Sequence, residues 1–262
     1  MNQPIPDLVW LTNLAVKAGR FTTELFMLGP GHKVKEDGTA ITNSDLVINE
    51  MVLGFFERDF PHIRVISEEG GRDVLDAEYT ALCDPLDGTL PFARGLPIST
   101  FCLSIIKDGQ PLIAVIDDPF MHRLWCAKRG EGAHLNGKKL SVSDHAEINH
   151  SHLGVLYWPE SPYHLHETTG FLVNQGARVI NPLTIAYLGG LVASGDLDAT
   201  IFPGRNGWET AAMQLIVQEA GGVATDINGR LLNYHPDGKI EGHIISNGQI
   251  HNKLVDAVRR CQ

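Results

Sequence analysis

The stretch that decides the fold is CDPLDGT, residues 83–89, which closes an apolar run that begins at Tyr79. The apolar run predicts a β-strand, and carboxylates that follow a strand lie together at one edge of its sheet. The proline favours an extended backbone at Asp84, and the glycine permits backbone geometry that other residues resist. We therefore expect a tight turn after the strand, in which Asp84 and Asp87 converge with the Leu86 carbonyl between them.

An oxygen-only donor set of this kind suits a hard divalent cation such as Mg²⁺, which needs no cysteine or histidine ligand. The same pattern also occurs in Asx-rich turns whose carboxylates are simply solvated. The motif by itself leaves both interpretations open, so the neighbouring motifs have to decide between them.

Two further acidic stretches fall where predicted elements begin or end. SEEGG, residues 67–71, follows a predicted strand, so Glu68 or Glu69 can face the same edge as the aspartates. NGWETAA, residues 206–212, opens a predicted helix and places Glu209 in its first turn. Adjacent glutamates are also common in solvated loops, and an acid near a helix N-terminus also complements the helix macrodipole. Each stretch thus has a structural and a functional interpretation.

Thr89 follows the glycine of the central motif. If a short helix starts there, the amides of Gly88 and Thr89 form an anion site beside the carboxylates. Thr42, followed three residues later by Asp45, has the pattern of a capping box at the start of another helix. The Asp45 carboxylate either completes that capping box alone or also accepts the hydroxyl of Thr89.

The composition excludes several classes of protein. The 262 residues include 21 Lys plus Arg against 31 Asp plus Glu, which gives a net charge of −10. We expect no nucleic-acid partner, because a protein that binds nucleic acid needs clustered positive charge. No apolar stretch approaches the roughly 18 residues of a membrane span, and the N-terminus lacks the pattern of a signal peptide. We therefore expect a cytoplasmic protein that does not associate with a membrane. The four cysteines lack metal-site spacing and are predicted to be reduced thiols, most of them buried.

Hydrophobic periodicity divides the chain into two halves. The first has helices over 8–28 and from residue 42 to before residue 61, then strands at 63–66, 79–83, 98–107, 112–116 and 123–127 and a loop around 136–137. Beyond about residue 150, strands at 153–157, 178–180, 199–202 and 243–246 alternate with helices at 163–174, 183–194, 208–220 and 249–260. We predict a single domain over residues 1–262, with a mainly antiparallel α+β half (about 1–150) packed on an α/β half (about 151–262).

Together these motifs resemble the inositol monophosphatase family of Mg²⁺-dependent, lithium-sensitive phosphatases. Residues 84–89 match its hallmark D-P-[IL]-D-G-T, SEE corresponds to its G-E-E, and WETAA to its W-D-x-A-A. Supporting pieces lie in order along nearly the whole chain, at residues 35–42, 130–133, 136–137, 192–195 and 219–222. The resemblance implies a layered α-β-α-β-α sandwich of the inositol monophosphatase/fructose-1,6-bisphosphatase type, a homodimer, and an active site between the two halves.

The resemblance also implies a ligand set for Mg²⁺. Glu68, Asp84 and the Leu86 carbonyl would hold one ion, and Asp84, Asp87 and Glu209 a second. A third, weaker ion would use Glu68 and water. Such ions lower the pKa of a bound water and neutralise charge on the attacking and leaving oxygens. The resemblance also implies inhibition by Li⁺ or Ca²⁺.

The remaining implied roles concern catalysis and the substrate. Thr89 and Asp45 would activate the attacking water, with Glu68 as a further catalytic residue. The amides of Gly88 and Thr89, together with Asp87, would bind the phosphate group of the substrate.

The sequence departs from the family pattern at positions that bear on specificity. Glu209 replaces the usual aspartate, which keeps the charge but adds a methylene, so either the geometry at the second ion shifts or that ion binds more weakly. Phe202 falls where inositol-selective members place a substrate-binding glutamate. Residues 181–186, which include the candidate substrate contacts Thr184 and Ile185, differ from the Ser- and Ala-rich specificity helix of those members.

Several small phosphate esters therefore stay open as substrates: an inositol monophosphate-like ester, histidinol phosphate, fructose 1,6-bisphosphate or 3′-phosphoadenosine 5′-phosphate. Phe202 can stack on a base or an imidazole, and Arg205 either contacts a second anionic group or is an exposed loop arginine. A further alternative is a non-catalytic regulatory binding protein, motivated by Glu209 and by Pro91, which stands where the family commonly has asparagine.

Overall fold

The structure is a computed structural model that describes residues 3–29, 31–34, 40–158, 161, 163–204, 206–234 and 237–262. Its helices are α1 Leu8–Met27, α2 Asn43–Asp59, α3 Thr89–Ala93, α4 Leu165–Asn174, α5 Ile185–Ala193, α6 Thr210–Glu219 and α7 His251–Arg260. Its strands are β1 His32–Val34, β2 Ala40–Thr42, β3 Arg64–Ser67, β4 Thr80–Asp87, β5 Thr100–Lys107, β6 Gln110–Asp118, β7 Arg123–Lys128, β8 Gly132–Leu135, β9 Lys138–Lys139, β10 His152–Val155, β11 Arg178–Ile180, β12 Ala199–Phe202, β13 Val223–Thr225 and β14 His243–Ser246.

A seven-stranded sheet in the order β3-β4-β5-β6-β7-β8-β9 forms the first half. Its neighbours are antiparallel except for β3 beside β4. Ala81 and Cys83 of β4 belong to the core shared with α1 and α2, whereas Leu82 belongs to the core shared with α5 and α6. Because helices cover both faces, the strand reads as a continuous apolar run rather than an alternating one.

A five-stranded sheet in the order β11-β10-β12-β14-β13 forms the second half. β10 runs parallel to both β11 and β12, and β14 runs antiparallel to β12 and β13. Helices α5 and α6 lie between the two sheets, and α4 and α7 pack on the outer face of the second sheet. The layers therefore form the predicted α-β-α-β-α sandwich, which is confirmed.

The predicted helices are present, but most begin later than expected. Helix α2 starts with the predicted capping box: the Thr42 N–H donates to the Asp45 carboxylate at 2.8 Å, and the Ser44 N–H donates to the Thr42 hydroxyl at 3.2 Å. Helices α4, α5, α6 and α7 each begin two residues after the predicted start. Before α5 the reason is visible, because Leu183 has a left-handed φ of 62° and Thr184 is extended.

The structure departs from one predicted turn and contains strands that were not predicted. The central motif does not form a turn after β4; the strand continues to Asp87, and its pairing with β5 shifts register between Asp84 and Asp87. A bulge of this kind lets a strand pass a residue that has no N–H to donate, which here is Pro85. The expected loop around Asn136 is the turn between β8 and β9. The strands β1, β2, β8, β9 and β13, each two to four residues long, were missed, although β11, which is as short, was predicted.

Two further observations concern the described residues. None of the helices in those ranges is long and apolar enough to cross a membrane. The four cysteines are free thiols, and Cys83, Cys102 and Cys126 are buried.

Asp117 is a buried carboxyl beneath α1. A Cβ at Gly19 would lie 2.2 Å from its Oδ2 atom, so the helix can approach this strand only with glycine at that position. Burial, with a smaller contribution from the neighbouring Asp118, raises the pKa of Asp117 to about 7. Between the unfolded value of 3.8 and about 7 the folded protein holds the extra proton, so the free energy of unfolding falls as pH rises through this window.

Asp117→Asn should therefore remove a pH-dependent destabilisation. From pH 5 to pH 8 the wild type should lose roughly 3 kcal/mol of stability through this group, at about 1.4 kcal/mol per pKa unit, and the variant should not. Urea unfolding at both pH values, in buffer with EDTA, measures the difference. The exposed Asp256→Asn variant is the control, and an unchanged pH slope in Asp117→Asn would contradict the assignment.

Candidate active site

Three carboxylates from both halves of the molecule meet in a buried cluster. Asp84, Asp87 and Glu209 each offer an oxygen, and these oxygens lie within 4.8 Å of one another. The three residues are 1%, 7% and 8% exposed. The aspartates come from the bulged end of β4, and Glu209 is the residue that precedes α6 rather than a member of its first turn. The convergence of the two aspartates that the motif predicts is therefore present.

The environment opposes the charged form of these groups. Burial raises the pKa of all three carboxyls; repulsion from Glu68 and Glu209 adds to the effect at Asp84, and repulsion from Asp87 adds to it at Glu209. Buried like charges at this spacing need protons or a cation to balance them.

Glu209 also has an unsatisfied oxygen. Its Oε2 atom is buried and has no hydrogen-bond partner among the described residues. A buried carboxylate oxygen without a donor, beside two further carboxylates, is the donor set that a hard divalent cation requires. The residues present therefore fit a metal such as Mg²⁺.

Asp87 is held by the start of α5. Its carboxylate accepts four hydrogen bonds, from the Thr184 hydroxyl, the Ile185 N–H at 3.2 Å, the Ala186 N–H at 2.8 Å and the Thr100 hydroxyl at 3.1 Å. A helix N-terminus stabilises a negative charge through its free N–H groups. Thr184 and Ile185, predicted as substrate contacts, thus lie against a candidate metal ligand.

The Thr89 hydroxyl connects the central motif to α2. It lies 3.0 Å from Asp45 Oδ1 and 3.1 Å from the Leu86 carbonyl oxygen. Asp45 therefore both completes its capping box and contacts Thr89. Burial raises the pKa of the Asp45 carboxyl, although hydrogen bonds from Thr42 and Thr89 oppose the shift.

Gly88 is required by its backbone. It precedes α3 with a left-handed φ of 89°, and a Cβ there would lie 2.9 Å from the Thr184 Cβ and 3.1 Å from the Ile98 carbonyl oxygen. Only glycine satisfies both conditions without strain. This close approach brings the amides of Gly88 and Thr89 to the junction of the two halves.

The other predicted site residues differ in their placement. Glu68 follows β3, with its N–H 3.2 Å from the Cys83 carbonyl oxygen, and lies outside the group of three although its charge raises the pKa of Asp84. Phe202 ends β12 and is 8% exposed. Arg205 lies outside the described residues, as do residues 35–39 of the supporting motifs.

Sequence reasoning missed two contributors to the site region. Thr100 donates to Asp87 from the neighbouring strand, and Trp158 packs against Phe202 with ring centroids 6.0 Å apart. Neither belongs to a motif, because the pairing of β4 with β5 and of β10 with β12 brings them into place.

The layered α-β-α-β-α sandwich and the acidic cluster between its halves are the two features to compare with known proteins. The profile of the inositol monophosphatase family matches residues 8–262, and the chain belongs to that family. It is 30% identical over 261 residues to a histidinol-phosphatase of Chlorobaculum parvum, covering 97% of this chain and 96% of the relative. It is 28% identical to the Nus factor SuhB of Pasteurella multocida, covering 84% and 86%. An IMPase structure from Thermotoga maritima superposes with a TM-score of 0.87 at 24% identity, covering 97% of each chain, and shows the same fold.

Thr184→Val should weaken metal binding while preserving the shape of the side chain. Removing the hydroxyl that orients Asp87 should lower the affinity for Mg²⁺ or Mn²⁺ by about 10-fold, the usual scale for a hydrogen bond behind a ligand. Isothermal titration calorimetry measures the affinity.

Thr200→Val is the matched control for this substitution. The Thr200 hydroxyl is also buried, but it has no hydrogen-bond partner among the described residues. Its loss should leave metal affinity unchanged. Equal affinities in the two variants would show that Thr184 does not position a ligand.

Proposed function

We propose that this chain is a Mg²⁺-dependent phosphomonoesterase that hydrolyses a small phosphorylated metabolite. The observation that carries the proposal is the buried cluster of Asp84, Asp87 and Glu209, with an unpartnered Glu209 oxygen. Membership of the inositol monophosphatase family supports it.

In this proposal two or three Mg²⁺ ions bind at the cluster. Glu68, Asp84 and the Leu86 carbonyl would hold one, Asp84, Asp87 and Glu209 would hold a second, and Glu68 with water would hold a weaker third. When bound, the ions supply a water of lowered pKa and neutralise charge on the reacting oxygens. The Leu86 carbonyl accepts one hydrogen bond from Thr89, and its second lone pair is available for a cation.

Thr89 and Asp45 are the proposed route for the proton of the attacking water. The Thr89 oxygen accepts that proton while its own hydroxyl proton moves along the 3.0 Å contact to Asp45 Oδ1. The raised pKa of the Asp45 carboxyl makes it a better proton acceptor than an exposed aspartate. Glu68 assists through its charge, and the Gly88 and Thr89 amides donate to the phosphate.

The substrate class follows from the relatives and from Phe202. The family name supports an inositol monophosphate-like ester, and the histidinol-phosphatase relative covers nearly the whole chain. Fructose 1,6-bisphosphate and 3′-phosphoadenosine 5′-phosphate are the further candidates. An apolar Phe202 offers no hydrogen bond to a polyol hydroxyl, so it favours esters with an apolar or aromatic alcohol.

A non-catalytic regulatory protein is the second candidate. The similarity to a relative named as the Nus factor SuhB is the reason to consider this alternative. The acidic cluster and the Thr89–Asp45 contact favour catalysis, since binding alone needs neither. We further propose that the protein acts in the cytoplasm as a homodimer, and its net charge of −10 argues against nucleic acid as its ligand.

Phosphate release from a panel of inositol, histidinol, sugar and nucleotide phosphates tests the proposal. Release should require Mg²⁺ and fall on addition of Li⁺ or Ca²⁺. Asp87→Asn should lower turnover by orders of magnitude, whereas Asp198→Asn, which alters a buried aspartate outside the cluster, should keep its activity per folded molecule. Mg²⁺-independent release, or normal turnover in Asp87→Asn, would overturn the mechanism.

Glu209→Asp should give activity at least equal to the wild type, because it restores the shorter acid that the family motif carries. Glu209→Gln, which keeps the length and removes the charge, should instead lose most activity. Phosphate release as a function of Mg²⁺ concentration distinguishes the two variants. A large loss in Glu209→Asp would mean that the surrounding residues are built around the longer side chain.

A further inference from the structure

Three parallel strands end at the edge of the second sheet where α5 begins. β10 lies between β11 and β12, so their carboxyl ends share one edge. Thr184, which holds Asp87, follows β11 by four residues, Trp158 follows β10 by three, and Phe202 is the last residue of β12. Ligands of open α/β sheets bind at such carboxyl ends. Trp158 therefore follows the same edge of the sheet as Thr184, the residue that holds Asp87.

Trp158 and Phe202 form an aromatic pair with one exposed ring. Their ring centroids are 6.0 Å apart at 56°, and Trp158 is 45% exposed whereas Phe202 is 8% exposed. Phe202 in turn packs against His243, with centroids 5.4 Å apart. Phe202 is thus the buried support, and the indole of Trp158 is the surface open to a ligand.

Phe202 is linked to the acidic cluster through His243 and Thr210. His243 Nδ1 lies 2.9 Å from the hydroxyl of Thr210, the residue after Glu209. Burial lowers the pKa of His243 to about 3, so the ring is neutral behind Phe202. Buried side chains therefore link the aromatic pair to Thr210, the residue next to Glu209.

The strand ends around Trp158 carry no charged side chain in their described parts. Residues 156–158, 181–184 and 202–204 are Leu-Tyr-Trp, Asn-Pro-Leu-Thr and Phe-Pro-Gly. A polyol needs hydrogen-bond acceptors or charges to fix its hydroxyls, and within these described stretches the polar side chains are those of Tyr157, Asn181 and Thr184. A flat aromatic group needs only a ring face, which an exposed indole provides.

We infer that Trp158 is a specificity-determining residue whose indole stacks on a flat nitrogen heterocycle carried by the alcohol part of the substrate. This inference rests on the proposed phosphatase function. Both an imidazole and a nucleobase have this chemistry. The Trp158 ring binds the alcohol part of the substrate while the Gly88 and Thr89 amides bind its phosphate beside the acidic cluster, and Phe202 keeps the ring in place.

Substrate profiles of Trp158 variants test the inference. Values of kcat/KM for histidinol phosphate, adenosine monophosphates and glycerol 2-phosphate should be compared in the wild type, Trp158→Ala, Trp158→Phe and the control Val9→Ala, an exposed apolar residue on α1. Trp158→Ala should lose about 10-fold on the ring-bearing ester and change little on glycerol 2-phosphate. Trp158→Phe should retain most of the wild-type value. The ester that loses activity identifies the heterocycle.

Equilibrium binding with Ca²⁺ in place of Mg²⁺ separates this inference from the phosphatase proposal. The ring-bearing ester should quench the tryptophan fluorescence of the wild type, and Trp158→Phe should lose the part of the quenching that comes from Trp158. The affinity of Trp158→Ala for this ester should be lower than that of the wild type. Binding that depends on Trp158 but is not followed by hydrolysis in Mg²⁺ would support the stacking role of Trp158 and reject the phosphatase function. An equal loss on all esters, no preference for ring-bearing esters, or binding unchanged in Trp158→Ala would overturn the inference.

Discussion

The hydrogen bonds between the Asp87 carboxylate and the start of α5 connect the two halves of the molecule at one point. Asp87 belongs to the seven-stranded sheet, and the Thr184 hydroxyl and the amides of Ile185 and Ala186 belong to the layer beneath the five-stranded sheet. A helix N-terminus is a favourable place for a buried negative charge. The same contact therefore docks the halves and orients a carboxylate toward Asp84 and Glu209.

That arrangement couples stability to function. Three buried carboxylates within 4.8 Å repel one another, and Glu209 keeps an oxygen without a hydrogen-bond partner among the described residues. A protein that folds around such a cluster carries a cost that a bound cation relieves, and binding to the folded state alone adds to stability. The residues around the cluster are closely packed: Gly88 approaches Thr184 so closely that a Cβ would collide with it.

Much of this fold was predictable because its local signals are strong. The capping box at Thr42 and Asp45, the apolar run into Cys83 and the alternating elements of the second half each depend on neighbouring residues. The bulge at Asp84 was not predictable, because it depends on the pairing of β4 with β5. The short strands β1, β2 and β13 likewise depend on partners rather than on their own three residues.

The sequence by itself determined the chemistry: which carboxylates, which threonine and which glycine are available, and in what order along the chain. Tertiary structure alone decided which of them meet. Asp87 and Thr184 are 97 residues apart, and Trp158 and Phe202 join the site region only because β10, β11 and β12 run parallel and end at one edge. Local sequence patterns identify the residues of a site. The burial, repulsion and orientation that raise the pKa values of these residues and let them hold a cation arise only when distant strands pack together.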